Sequence, residues 1–246
     1  MQPATHIEKS YAIAFDADVL AQPQNHHFDE AYWRDQDAVY ETAKGRGNSW
    51  FIDSPFGRVV LRRYFGGGWA ARFSRDHYFY LGVIHSRPFQ EFAVLVSLLS
   101  LGLPVPKPVA ALCEHKGLFY RGALITQAIE GARTLADFLP TSDGHKANRD
   151  INDENTNIWQ DTGRCIRRFH DAGLWHADLN ARNILIDGNQ EVHLIDFDRA
   201  RLTPDKPVDG QNNLARLKRS LKKIGSHNGD EFLSSAWAKL MEGYND

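Results

Sequence analysis

The chain is poor in the features that would place it outside a reducing interior. It has two cysteines, Cys113 and Cys165, both in apolar surroundings, so no disulfide framework is expected and a reducing cytoplasm fits. It has no long hydrophobic run. The longest, Phe92 to Leu103, is too short to span a bilayer and contains two serines. The first residues, MQPATHIEKSYAIAFD, include Glu8 and no apolar h-region, which argues against a secretory signal. There is no excess of one charge, with 29 Lys and Arg against 31 Asp and Glu, and no nucleic-acid partner is expected. No internal repeat or low-complexity tract is visible. A length of 246 residues, 42% hydrophobic and 24% charged, describes a soluble globular protein, either one large domain or two small lobes around a cleft.

What is present is concentrated between Phe169 and Leu202, FHDAGLWHADLNARNILIDGNQEVHLIDFDRARL. His176, Asp178 and Asn183 form H-x-D-x-x-x-x-N, and Asp196 follows thirteen residues after Asn183. Phosphoryl transfer needs an aimed acceptor hydroxyl and cations that neutralise the phosphates. Asp178 is the candidate catalytic carboxylate, which orients the hydroxyl and accepts its proton. Asn183 and Asp196 offer a neutral and a charged oxygen to Mg2+, as hard cations prefer. His176 reads as a brace for the loop. The flanks agree: NILID and VHLID form a hairpin that presents Asn183 at its start and Asp196 at its end. Upstream, Ile158, Thr162, Ile166 and Phe169 recur at helical spacing, and Gly173 stands where a C-cap glycine belongs.

Earlier in the chain, residues 1–38 lack clear periodicity and read as an extension lying on a first lobe. Val39–Ala43 and Ser49–Asp53 read as strands joined by Gly45-Arg46-Gly47. Such a turn can bring backbone N–H groups against phosphate, and is equally a plain hairpin turn. The next strand, Arg58–Tyr64, lacks the lysine that holds phosphates in protein kinases, since Lys9 and Lys44 are the only lysines before residue 100. V-V-L-R overlays V-A-I-K with Arg62 in the lysine position, in preference to Arg63, and an arginine can grip phosphate bidentately. An exposed basic pair on an edge strand is the alternative. A helix over Ser86–Leu101, with an apolar face of Phe92, Leu95, Val96 and Leu99, carries Glu91 as the partner of that arginine or as an ordinary solvated acid. Gly66-Gly67-Gly68-Trp69 breaks the preceding strand, and the aromatic group Asp76–Tyr80 has no assigned role. Leu118–Thr126 is a strand leading to a linker, Ala128–Ala132, against which adenine would lie. Asp143–Asn157 is polar and aperiodic, a surface loop.

After Asp198 there is no long activation segment and no A-P-E. The helix that follows has an apolar stripe, Leu214, Leu217, Leu221 and Ile224, and a basic side, Arg216, Lys218, Arg219, Lys222 and Lys223. That side is a solvated face, or else a contact for anionic headgroups or substrate phosphates.

The blocks GRGNSWF, VVLRRYFGGG, SRPFQEF, LGLPVPKP, FHDAGLWHADLNARNILID, VHLIDFDRARL and NNLARLKRSLKK together resemble the 3-deoxy-D-manno-octulosonic acid (Kdo) kinases of Gram-negative bacteria, from about Val39 to Ile224. Heptose kinases of the same lipopolysaccharide pathway are similar relatives. The resemblance implies an α+β, bilobal protein-kinase-like fold, with an N-lobe at 39–126 and a C-lobe at 127–246. It implies ATP-dependent phosphorylation, with Mg2+, of the 4-hydroxyl of Kdo on a lipid A precursor (Kdo-lipid IVA). It also implies peripheral attachment to the anionic cytoplasmic face of the inner membrane. By motif position Asp178 takes the catalytic role, Asn183 and Asp196 the metal roles, Arg62 the phosphate role and Glu91 that of its partner, and the expected cofactor-binding residues are Gly45, Gly47, Arg62, Glu91, Asn183 and Asp196. Two departures from protein kinases, Asn180 where a lysine is common and Asp198 in place of the glycine of D-F-G, argue against a protein substrate. A small-molecule kinase of other specificity and a pseudokinase binding module remain as alternatives.

Overall fold

The computed structural model describes residues 1–42, 49–64, 78–140, 156–225 and 230–246. Gly45, Gly47, the Gly66–Trp69 break and most of the 143–157 loop lie outside the described residues. The chain is α+β and divides into two compact units, Met1–Ser97 with Pro106–Ala128, and Leu98–Val105 with Ile129–Asp246.

The first unit is built on an antiparallel sheet of β1 (Pro3–Ile7), β2 (Tyr11–Asp16), β3 (Val39–Thr42), β4 (Ser49–Ser54), β5 (Gly57–Arg63), β6 (Tyr78–Phe79), β7 (Pro108–Lys116) and β8 (Phe119–Gln127). Its order is β1-β2-β7-β8-β5-β4-β3, with β6 also paired to β8. Residues 1–38, expected as an extension on this lobe, instead supply two of its strands and much of its core. Tyr11–Asp16 is an almost continuously buried run, which shows no alternation in sequence because both faces are covered. The short helix α1 (Glu30–Arg34) and the turn before it press Phe28 and Trp33, each 2% exposed, onto Val59, Leu61 and Ile125 of the sheet. The unassigned aromatics find a place as well: Tyr78 stacks on Tyr120 at 5.2 Å and Tyr80 on His115 at 4.3 Å.

Helix α2 (Arg87–Ser100) begins against the same sheet. Gly122 makes this possible, since a Cβ there would lie 2.8 Å from Pro88 Cγ. Its most buried positions are Glu91, Phe92, Leu95 and Leu98, so the stripe runs through Leu98 rather than through Val96 and Leu99.

The second unit is mainly helical. Helix α3 (Thr156–Asp171) buries Ile158, Thr162, Ile166 and Phe169 to 3% exposure or less, the four positions its spacing selects. It ends at Gly173, whose φ of +84° is the left-handed cap conformation. Helices α4 (Gln211–Gly225) and α5 (Asp230–Asn245) complete the helical part, and α5 crosses α3 where Gly163 and Gly243 meet backbone. The short strands β9 (Arg133–Thr134), β11 (Ile184–Ile186) and β12 (Val192–Leu194) pair antiparallel, as do β10 (Leu174–Trp175) and β13 (Arg201–Leu202). Among the described residues no helix is long and apolar enough to cross a membrane.

Candidate active site

In the first unit, strand alternation sends Leu61 into the core and Arg62 to the opposite face. There Arg62 Nη2 donates to Glu91 Oε2. The Tyr64 hydroxyl donates to the same carboxylate at 2.5 Å and accepts from Arg62 at 3.0 Å. Glu91 is 3% exposed, so the guanidinium is held by a buried carboxylate. Burial, followed by the nearby Glu91 charge, raises the Tyr64 pKa well above its ordinary value. Arg63 is occupied elsewhere, on the Phe28 carbonyl at 3.2 Å and the Asp29 carboxylate at 3.0 Å. Of the two arginines, Arg62 is the one paired with Glu91. Tyr64 is a member of this group that no spacing rule singles out.

In the second unit the loop between β10 and β11 holds the H-x-D-x-x-x-x-N residues. His176 is 2% exposed, and its Nε2 meets the Ile195 carbonyl at 3.1 Å while Nδ1 accepts from the Asp178 amide at 3.1 Å. An acceptor on one side and a donor on the other are satisfied together by the neutral Nε2–H tautomer. Burial lowers the His176 pKa from its ordinary value, in the same direction. The Asp178 carbonyl accepts from Asn183 Nδ2 at 2.9 Å and from Asn180 Nδ2 at 3.0 Å, so the backbone of the candidate catalytic residue is clamped from two sides. Phe197, 1% exposed, lies 5.2 Å from the His176 ring and seats the D-F-D segment beneath the loop.

The hairpin of β11 and β12 pairs Ile184 with Leu194, and the Ile195 amide donates to the Asn183 carbonyl at 3.0 Å. Asn183 is thereby opposite Ile195, next to Asp196. With Asn183 Nδ2 spent on the loop, its Oδ1 is the atom left for a cation. Asp196 has a φ of +66°, a left-handed conformation that costs energy in most residues and that aspartate tolerates better than most. An amide oxygen and a carboxylate are hard donors that fit Mg2+. A second group of metal-capable side chains, Asp187, Glu191 and His193, sits at the hairpin turn. There Asp187 accepts from the Asn189 and Glu191 amides at 2.9 Å each and meets His193 at 3.0 Å, which is the bonding of the turn itself.

Helix α4 grips this loop in a way the sequence did not announce. Asn213, 2% exposed, donates to the His176 carbonyl at 2.7 Å and accepts from the His176 amide at 3.1 Å. Ser220 accepts from the Ala181 amide at 3.2 Å. Arg216, expected on a basic face beside Lys222 and Lys223, instead donates from Nε to Asp178 Oδ1 at 2.8 Å, with Nη2 at 2.6 Å from the same oxygen. The reason is helical spacing: Asn213, Arg216 and Ser220 stand at i, i+3 and i+7, on one face. Lys218 leaves the expected patch too, lying 5.1 Å from the Trp237 ring.

A β-rich unit with one long helix, a mainly helical unit, and a rigid H-x-D-x-x-x-x-N loop followed by an Asp-bearing hairpin define a kinase of the protein-kinase-like class. The model of the Lipopolysaccharide kinase (Kdo/WaaP) family matches residues 30–244, and the chain belongs to that family. It is 42% identical over 233 residues to the 3-deoxy-D-manno-octulosonic acid kinase of Xanthomonas campestris pv. campestris strain B100, covering 95% of this chain and 89% of the relative. It is 42% identical over 234 residues to the enzyme of that name from Stenotrophomonas maltophilia strain K279a, with the same coverage. The Xanthomonas oryzae pv. oryzae relative, also so named, is 41% identical over 233 residues.

Proposed function

We propose that the protein transfers the γ-phosphoryl group of ATP to the 4-hydroxyl of a Kdo residue on a lipid A precursor, at the cytoplasmic face of the inner membrane. The observation that carries this reading is a site-bearing chain alignable over 95% of its length with relatives named 3-deoxy-D-manno-octulosonic acid kinase. In this reading Asp178 accepts the hydroxyl proton as the new oxygen–phosphorus bond forms and the β–γ bond breaks, releasing ADP. Arg62, aimed by Glu91, holds the nucleotide phosphates. Asn183 and Asp196 hold Mg2+, which supplies neutralisation of the phosphate charge when bound. His176 keeps the loop in shape and takes no proton, since its neutral tautomer is already committed on both nitrogens.

Arg219, Lys222 and Lys223, exposed on α4, support a contact with anionic headgroups, each worth about 1 kcal/mol near such a surface. The test is transfer from labelled ATP to a panel of acceptors: Kdo-bearing lipid A precursor, the same lipid without Kdo, a heptose-bearing core, and soluble sugars. Transfer confined to the Kdo-bearing lipid supports the reading. Transfer to heptose or to soluble sugars rejects it in favour of another acceptor.

A further inference from the structure

The loop around Asp178 lacks the cation that protein kinases commonly carry two residues later, because position 180 is asparagine. Asn180 cannot stand in for it. Its Nδ2 is spent on the Asp178 carbonyl at 3.0 Å and its Oδ1 accepts from the Arg182 amide at 2.9 Å. A cation nevertheless reaches the carboxylate, from a residue 38 positions further along the chain.

We propose that Arg216 is the positioning residue for Asp178, taking over from α4 the place left by the missing loop lysine. The inference rests on the kinase reading above. Both guanidinium contacts go to Oδ1, by Nε at 2.8 Å and Nη2 at 2.6 Å, which leaves Oδ2 for the acceptor hydroxyl. The aim is as rigid as the helix that provides it. Leu214, Leu217 and Leu221 are buried, while Asn213 and Ser220, on the same face as Arg216, bond to residues 176 and 181 on either side of Asp178. The three side chains together fix the loop at its start, its carboxylate and its middle. Stability does not account for the pair. Both side chains are 48% exposed, and exposed ion pairs contribute on the order of 0–1 kcal/mol. A misplaced carboxylate, by contrast, can cost a rate factor of up to about 100.

The experiment compares Arg216→Ala and Arg216→Lys with the wild-type enzyme for kcat, KM for ATP and Tm, and adds guanidinium ion to the alanine variant at concentrations below denaturation. The expected result is a fall in kcat of about 10- to 100-fold in Arg216→Ala, with KM for ATP and Tm little changed. Part of that loss should return in Arg216→Lys and with added guanidinium, and no return is expected when guanidinium is added to Asp178→Ala. A purely structural arginine would lower Tm and show no chemical rescue. Wild-type kcat in Arg216→Ala, or a loss that neither lysine nor guanidinium restores, overturns the inference while the activity of the wild type leaves the kinase reading in place. A wild-type protein that transfers phosphate to no acceptor would overturn both.

Discussion

Arg62 and Glu91 stand 29 residues apart in sequence and meet as an ion pair in which the carboxylate is 3% exposed and the guanidinium side chain 23% exposed. A strand and a helix have each contributed one half of a fixed cation. Glu91 also accepts from Tyr64, so the buried carboxylate is held by hydrogen bonds, and removing one of them has a cost.

Arg62→Ala should therefore cost stability, about 1–3 kcal/mol for a buried carboxylate that loses a charge-assisted hydrogen bond, together with affinity for ATP. A double variant, Arg62→Met with Glu91→Gln, removes both charges and should recover most of the stability while nucleotide affinity stays low. Thermal denaturation and nucleotide titration separate the two effects. Unimpaired ATP binding in the double variant would remove Arg62 from the phosphate site.

Asp178→Ala should leave ATP binding largely intact and lower transfer by at least about 100-fold, the scale of a lost general base. Its carbonyl, not its carboxylate, takes the Asn180 and Asn183 bonds, so the loop retains its clamp in the variant. Full activity would contradict the assignment.

At the crossing of α3 and α5 a Cβ on Gly163 would lie 2.0 Å from the Leu240 carbonyl and 2.7 Å from the Tyr244 amide. Neither helix backbone can yield as a flexible side chain does. Gly163→Ala should destabilise by about 1–3 kcal/mol, as overpacked interiors do, with Tm as the readout. An unchanged Tm would mean that the helices are not this close in solution.

His170 and His176 are each at most 3% exposed, and burial lowers both pKa values from the ordinary histidine value. A lowered folded-state pKa means that the unfolded chain binds protons more readily. Stability should then be full above pH about 6.5, where the unfolded histidines are neutral, and fall as the pH drops below it. A series of Tm values from pH 8 to pH 5 checks the sign, and a rise on acidification would contradict it.

Replacing Lys222 and Lys223, both exposed on α4, by glutamate should weaken sedimentation with anionic vesicles more than transfer to a detergent-dispersed acceptor. Unchanged sedimentation would take the membrane contact away from this helix.

Local patterns were legible before the structure and distant contacts were not. The α3 stripe, the Gly173 cap and the hairpin carrying Asn183 and Asp196 all follow from patterns within a few residues. Strand β7 escaped because Pro108–Cys113 is buried throughout, leaving no alternation to read, and β2 escaped for the same reason. The contact of helix α5 with α3 depends on Gly163 and Gly243, which the sequence places 80 residues apart. The largest omission in the site is the polar face of α4. Asn213, Arg216 and Ser220 do form an i, i+3, i+7 set beside the leucine stripe, yet in the sequence Arg216 is one of five basic residues. Only the fold distinguishes it from Lys222, by carrying it to a carboxylate 38 residues away.

The most direct test of the assigned reaction is the position of the new phosphate. Kdo-bearing lipid A precursor is incubated with the enzyme, ATP and Mg2+, and the product is cleaved and its fragments weighed by mass spectrometry. The account predicts one added phosphoryl group, on the Kdo fragment, at the 4-hydroxyl, and none when Asp178 is replaced by alanine. A phosphate on the lipid A fragment, or a Kdo fragment of unchanged mass while ATP is consumed, would contradict it.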